Sequence, residues 1–208
     1  MAASTSRIIQ LYKSRTTILE LLEKQGFNIE DYQGFSINEI DAMSVNTQLD
    51  MLLSHKTDGR KVYVKYYASK QIRPANLEEI IEDLYVIDVI LTKTDTLIII
   101  IDDEPNDTIL DKIKYLYDRR GVFIIIFNIK RLHFNILNHV LVPNATVLSE
   151  PEKDELMIRL QVKSLDQLPE ISRFDPRAMA IGMRPSQICR FNRDSLTALS
   201  CDYYRVCV

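Results

Sequence analysis

The sequence predicts an α/β protein: a helix-flanked, mostly parallel sheet in its N-terminal part, then a small α+β part that ends in a β-hairpin. Two continuous apolar runs, Leu97-Ile98-Ile99-Ile100-Ile101 and Val122-Phe123-Ile124-Ile125-Ile126-Phe127, lie either side of a helical segment over 107–120. Strands that are apolar on both faces and joined by helices belong to a parallel sheet covered on both sides. The last twenty-one residues hold two alternating runs, 188–193 and 201–208, which read as paired antiparallel strands.

The elements follow in order. Ile8, Leu11, Tyr12, Ile18, Leu19 and Leu22 recur at steps of three and four, so residues 6–25 form an amphipathic helix that Gly26 ends, with Phe27 packing back on its last turn. Ser36 with Glu39 is a capping box for a second helix over about 37–49. Residues 56–60 are a polar turn. Lys61-Val62-Tyr63-Val64-Lys65-Tyr66-Tyr67 alternates and is rich in β-branched and aromatic side chains, the signature of a strand with one wetter face. After Pro74, Asn76 caps a helix carrying Leu77, Ile80, Ile81, Leu84 and the apolar run 86–90. The helix over 107–120 stops before Gly121, and a last short strand over 140–142 leaves the domain.

Pro143-Asn144-Ala145 breaks the pattern, so the expected domains are 1–142 and 143–208. Ser149-Glu150-Pro151-Glu152 is a capping box with proline in the first turn of a helix showing Leu156, Ile158 and Leu160. Ser164 with Gln167 is a one-turn version. Leu168-Pro169-Glu170-Ile171 reads as a strand, Asp175-Pro176 as the start of a short helix and Gly182 as its stop. Tyr204, Val206 and Val208 alternate with Tyr203, Arg205 and Cys207, so the terminal strand is expected to pack one face and present the other, with Arg205, to a partner.

Composition excludes several classes. The chain of 208 residues has a formal net charge of −3, with 17 basic against 20 acidic residues up to Leu148 and 9 against 9 beyond it. Neither part is a basic platform that would hold nucleic acid through phosphate neutralisation alone. The three cysteines, Cys189, Cys201 and Cys207, have no zinc-ligand spacing and read as small buried hydrophobes of a reduced, soluble protein. Asp102-Asp103-Glu104 at the end of an apolar strand resembles an Mg²⁺-holding carboxylate pair, but the five glycines form no phosphate loop. No Asp-x-Lys or Glu-x-Lys occurs, which removes the lysine a metal-dependent nuclease uses to orient water. His55, His133 and His139 have no nucleophile beside them and read as structural. The expectation is a chain with no catalytic residue, no cofactor and no metal. From Leu168 onward lysine is absent while Arg173, Arg177, Arg184, Arg190, Arg193 and Arg205 are present, and Tyr203 and Tyr204 adjoin Arg205. This is the composition of a desolvated protein interface.

The C-terminal motifs carry a resemblance. His139-Val140-Leu141-Val142-Pro143, the acidic-lysine segment 152–156, Leu168-Pro169-Glu170-Ile171, Asp175-Pro176, Ile181-Gly182 and Tyr204-Arg205-Val206-Cys207 can be laid without a gap on the C-terminal end of the fifth subunit of eukaryotic-type DNA-directed RNA polymerases. That end is similar to the whole of its short archaeal polymerase counterpart. Ser6 to Tyr12 and Gln25-Gly26-Phe27 are more diffusely similar to the family's first helix and its exit. Three positions depart from the family: Ala145 replaces a histidine, and Ser186 and Leu199 replace glycines, which points to altered turns in the terminal hairpin.

The resemblance implies an N-terminal jaw domain near downstream DNA and a C-terminal assembly domain that docks on the largest polymerase subunit near the sixth-subunit homologue. It assigns the assembly interface to Pro169, Asp175, Pro176, Gly182, Arg193, Tyr204 and Arg205, and proximity to downstream DNA to Pro105 and Asn106. No membrane and no small-molecule substrate of its own are implied. The isoleucine-heavy strands and lost glycines point to a copy encoded by a large DNA virus, with a cytoplasmic factory and virion as its location; a cellular copy would be nuclear. Two alternatives stay open: a free-standing adaptor that attaches to polymerase, and a metal-dependent nuclease-like enzyme.

Overall fold

The computed structural model describes residues 2–67 and 72–208, and the chain divides into two compact units, Met1–Phe134 and Asn135–Val208. The division falls upstream of Pro143. Both units are mixed α/β, each built on a four-stranded sheet.

The N-terminal unit opens with helix α1 (Ala2–Lys24), which ends in a Schellman turn: Phe27 donates its N–H to the carbonyl of Leu22 at 3.0 Å and Gly26 donates to Glu23 at 2.9 Å. Gly26 has φ +95°, and a Cβ there would stand 2.6 Å from Nε2 of His55. Glycine is therefore required both by the turn and by the approach of the His55 ring, which packs edge-on to Phe27. Helix α2 (Ile37–Val45) begins at the Ser36–Glu39 capping box but stops short of residue 49. A strand that the sequence pattern did not disclose, β1 (Met51–Ser54), follows.

β1 pairs antiparallel with β2 (Lys61–Tyr67); β2 runs parallel to β3 (Thr96–Ile101), and β3 parallel to β4 (Phe123–Asn128), giving the order β1-β2-β3-β4. Every residue of β4, and all of β3 after Thr96, is buried, as strands covered on both faces must be. Helix α4 (Asp107–Arg120) connects β3 to β4, is capped by Asn106 and ends at the left-handed Gly121, φ 71°. The buried carboxylate of Asp95 fixes the loop before β3 by accepting from the N–H groups of Lys61 at 2.6 Å and Thr92 at 2.7 Å.

Helix α3 (Pro74–Glu82) corrects the expected cap. Asn76 is its third residue, and its side chain accepts the N–H of Arg73, which occupies the capping position. Beyond Glu82 the backbone widens into a π turn over Asp83–Ile87, so the apolar residues 86–90 do not continue an α-helical stripe; Val86, Ile87 and Val89 are exposed.

In the C-terminal unit, strands β5 (Ala145–Val147), β6 (Glu170–Ile171), β7 (Ile188–Ser195) and β8 (Leu199–Cys207) form a sheet of order β5-β7-β8-β6. The expected strand at 140–142 is a turn: residues 136–138 make a short 3₁₀ helix, Val140 and Leu141 are almost fully exposed, and pairing begins at Ala145. The alternating pattern was too short to distinguish an exposed apolar turn from a strand. Helix α5 (Glu150–Arg159) has the Ser149–Glu152 capping box, and of its apolar side chains Leu156 is buried while Ile158 is exposed. Helix α6 (Pro176–Ala180) is one short turn-and-a-half between Asp175 and Gly182.

The two faces of this sheet are both packed. Ile171, Cys189, Phe191 and Cys207 meet Ala178 and Met183, so α6 covers one face. Ile188 and Val206 meet Leu148, Leu156 and Leu168, so α5 covers the other. The end of the terminal strand, Val206 and Cys207, is therefore buried, while Tyr203, Tyr204 and Arg205 stay half-buried.

Candidate functional site: an arginine–aromatic face on the C-terminal unit

The residues singled out by the sequence divide into those that build the unit and those that face outward. Asp175 accepts the N–H of Arg177 at 2.9 Å, and Pro176 fills the first position of α6. Gly182, φ 66°, donates to Met179 while Met183 donates to Ala178, a second Schellman turn, and Met183 and Ala178 pack together in the core. Pro169 is exposed, and its carbonyl accepts from Val206 at 2.9 Å. These four fix the backbone.

Arg193 and Arg205 lie on the α6 side of the hairpin. Cross-strand pairing sets Phe191 opposite Tyr203, Cys189 opposite Arg205 and Arg193 opposite Cys201. The guanidinium of Arg193 stacks on the Tyr203 ring at 4.6 Å and that of Arg205 on the same ring at 5.3 Å, while Arg177, from α6, stacks on Phe191 at 4.3 Å. Three cations on two rings make one continuous face. Arg205 also donates to the carbonyl of Glu170 at 3.0 Å. None of the three makes an ion pair with a carboxylate among the described residues. Burial pulls the Arg177 guanidinium below its usual range; Asp175 opposes this, and the neighbouring positive charges of Arg193 and Arg205 add to it.

Tyr204 does not join this face. It points to the α5 side, where its hydroxyl accepts from Arg159 at 2.9 Å and its ring carries the Arg159 guanidinium. Ser186 and Leu199 have left-handed backbones, φ 68° and 61°. Both positions are therefore strained for an L side chain. The buried thiols of Cys189 and Cys207 are each pushed up to about 11, chiefly by desolvation, and so stay protonated; Cys201, in contrast to the expectation for it, is exposed.

Pro105 and Asn106 lie on the other unit. The Asn106 side chain accepts the N–H of Ile109 at 3.0 Å and is committed to capping α4. Nearby, Asp102 is bridged by Arg7 and Glu104 by Arg131, so two of the three carboxylates that suggested a metal are held by arginines. Among the described residues no cluster of three or more histidine, cysteine, aspartate or glutamate side chains could hold a metal ion, and no helix is long and apolar enough to cross a membrane.

Residues 134–207 match the family described as RNA polymerase Rpb5, C-terminal domain. DNA-directed RNA polymerase subunit Rpo5 of Thermococcus kodakarensis is 43% identical over 75 residues, which are 36% of this chain and 90% of the relative. Its counterpart from Archaeoglobus fulgidus is 40% identical over 77 residues, 37% of this chain and 100% of the relative. The chain belongs to the Rpb5 family. The rpabc1 subunit of DNA-directed RNA polymerases I, II and III from Dictyostelium discoideum is 39% identical over 82 residues, 39% of this chain and 41% of that longer relative. The Rpb5-matched span coincides with the C-terminal compact unit to within one residue at each end.

Arg177 and Tyr203, central to the arginine–aromatic face, were visible in the sequence only as members of an arginine-rich, tyrosine-containing stretch. Their meeting depends on the hairpin register and on α6 folding over it, which no local pattern specifies.

Proposed function

We propose that the chain is a non-catalytic structural subunit of a multisubunit DNA-directed RNA polymerase, attached through residues 135–208, with the N-terminal unit acting as a jaw near downstream DNA. One observation carries this reading. The archaeal Rpo5 relatives are polymerase subunits, 90% to 100% of their length is matched by 75 to 77 residues of this chain, and the match to the Rpb5 C-terminal domain falls on residues 134–207. That unit alone is therefore enough to make a polymerase subunit, and attachment to the assembly is the activity it would bring here. The largest subunit is the proposed dock, beside the sixth-subunit homologue. The absence of an active site in this chain is part of the proposal; nucleotide addition would belong to other subunits.

The jaw reading rests on the mixed sheet of the N-terminal unit, whose parallel strands β3 and β4 are covered, and on the 17 basic against 20 acidic residues through Leu148, which supply no autonomous attraction for DNA. Such a unit would meet DNA only where the assembly brings it. The proposed location is a viral factory and virion for a virus-encoded copy and the nucleus for a cellular one. Purification of active polymerase through a tag on the largest subunit tests the reading: this chain should be present in stoichiometric amount. Its absence from active polymerase would return the adaptor alternative.

A further inference from the structure

A groove of about 500 Å³ runs along the C-terminal unit between the turn at 140–143 and the arginine–aromatic face, with Arg177, Arg193 and Asp194 on its walls. We propose that this groove receives an acidic, apolar segment of another polymerase subunit, a carboxylate lying between Arg177 and Arg193 and an aliphatic side chain resting on Val140 and Leu141. The inference rests on the subunit reading above and names the chemistry of the partner.

Both guanidiniums lie over aromatic rings, Arg177 4.3 Å from the centre of Phe191 and Arg193 4.6 Å from that of Tyr203. A guanidinium placed over a ring is ordered before a partner arrives, which lowers the entropy cost of a carboxylate contact at its N–H groups. Nε and Nη2 of Arg177 are shielded from solvent and donate to no acceptor, so this charge is not satisfied within the chain, and a carboxylate in the groove would meet Arg177 at Nη1, the nitrogen that is not so shielded. Within the fold, the charges that face the pair are Asp194 on the groove wall, Asp175 and Arg205. Asp175 is engaged as the cap of α6, and three cations against two carboxylates leave the site short of negative charge.

The other wall is apolar and open. Val140 is 96% exposed and Leu141 84% exposed, on a turn whose backbone is fixed by Val142 donating to His139. Adjacent exposed aliphatics beside ordered arginines fit a protein interface with an anchored core and a charged rim. A phosphate backbone fits less well: it would gain nothing from Val140 and Leu141, would be repelled by Asp194, and would find no lysine from Leu168 onward.

A photo-crosslinking amino acid at position 141 of the full chain, in polymerase purified with it, tests the proposal. Polymerase is first assayed for the chain, then irradiated, and the attached peptide is sequenced by mass spectrometry. The expected product joins position 141 to a segment of another subunit with Asp or Glu next to aliphatic residues, and Arg193→Glu lowers its yield roughly tenfold or more at about 0.15 M salt with the circular dichroism unchanged. A product on DNA, a product on a segment without carboxylates, or no product from polymerase that contains the chain overturns the groove while leaving the subunit reading intact. Absence of the chain from polymerase overturns both.

Discussion

Ser186 and Leu199 hold left-handed backbones that an L side chain adopts at a cost of about 1–2 kcal/mol. The hydrogen bond from Ser186 to the carbonyl of Cys207 and the hairpin register hold them there. Restoring glycine relieves the strain, and the extra freedom of the unfolded chain returns part of the gain. Ser186→Gly and Leu199→Gly should each raise the stability of the C-terminal unit by roughly 0.5–1 kcal/mol, measured by urea unfolding; Leu199 is 89% exposed, so no packing is lost. The thiols give a second prediction at this scale. Cys189 and Cys207 move from an ordinary value of 9.0 to about 11 in the folded chain. Above pH 9 the unfolded chain releases protons that the folded chain keeps, so their contribution is complete below about 9 and disappears as the pH rises to about 11. Thermal melts of the C-terminal unit should fall across that window, and the Cys189→Ala/Cys207→Ala double variant should fall less steeply. A window unchanged by the double substitution would show that other groups carry it.

Helix α4 is the element on which a structural and a DNA-proximal role for one residue can be separated. Asn106→Ala should cost about 1 kcal/mol in the N-terminal unit, because the N–H of Ile109 loses its acceptor, whereas Asn106→Ser keeps a cap and should cost only a few tenths. If retention of downstream DNA changes with Asn106→Ala and not with Asn106→Ser, the residue acts through the helix; a change with both variants places its side chain near DNA. Elements with strong local chemistry were the ones the sequence disclosed. The Ser36–Glu39 and Ser149–Glu152 boxes, the glycine stops at 26, 121 and 182, and the all-apolar strands each state their structure within a few residues. β1 was hidden because only four residues of it pair, and the 140–142 turn was mistaken for a strand because its exposed valine and leucine have no local reason to be exposed. The arginine–aromatic face was not legible at this scale, since Arg177 comes from a helix and Phe191 and Tyr203 from two different strands.

Across the whole molecule, the compact units and the family match divide the chain at the same place, near residue 134. The C-terminal unit has its own sheet, two helices packed on opposite faces and two separate core clusters, which is what independent folding requires. Its resemblance to the fifth polymerase subunit was readable from six short motifs because those motifs are caps, stops and strand ends whose chemistry is fixed by backbone geometry. The N-terminal unit declares its fold and not its partner, since covered strands carry packing information alone. The central claim, that attachment resides in the C-terminal unit, is tested by expressing residues 135–208 and residues 1–134 separately beside the other polymerase subunits and measuring the stoichiometry of each with the largest subunit after pull-down. Residues 135–208 should enter at one copy per polymerase and residues 1–134 should not; entry of 1–134 with exclusion of 135–208 would contradict the account.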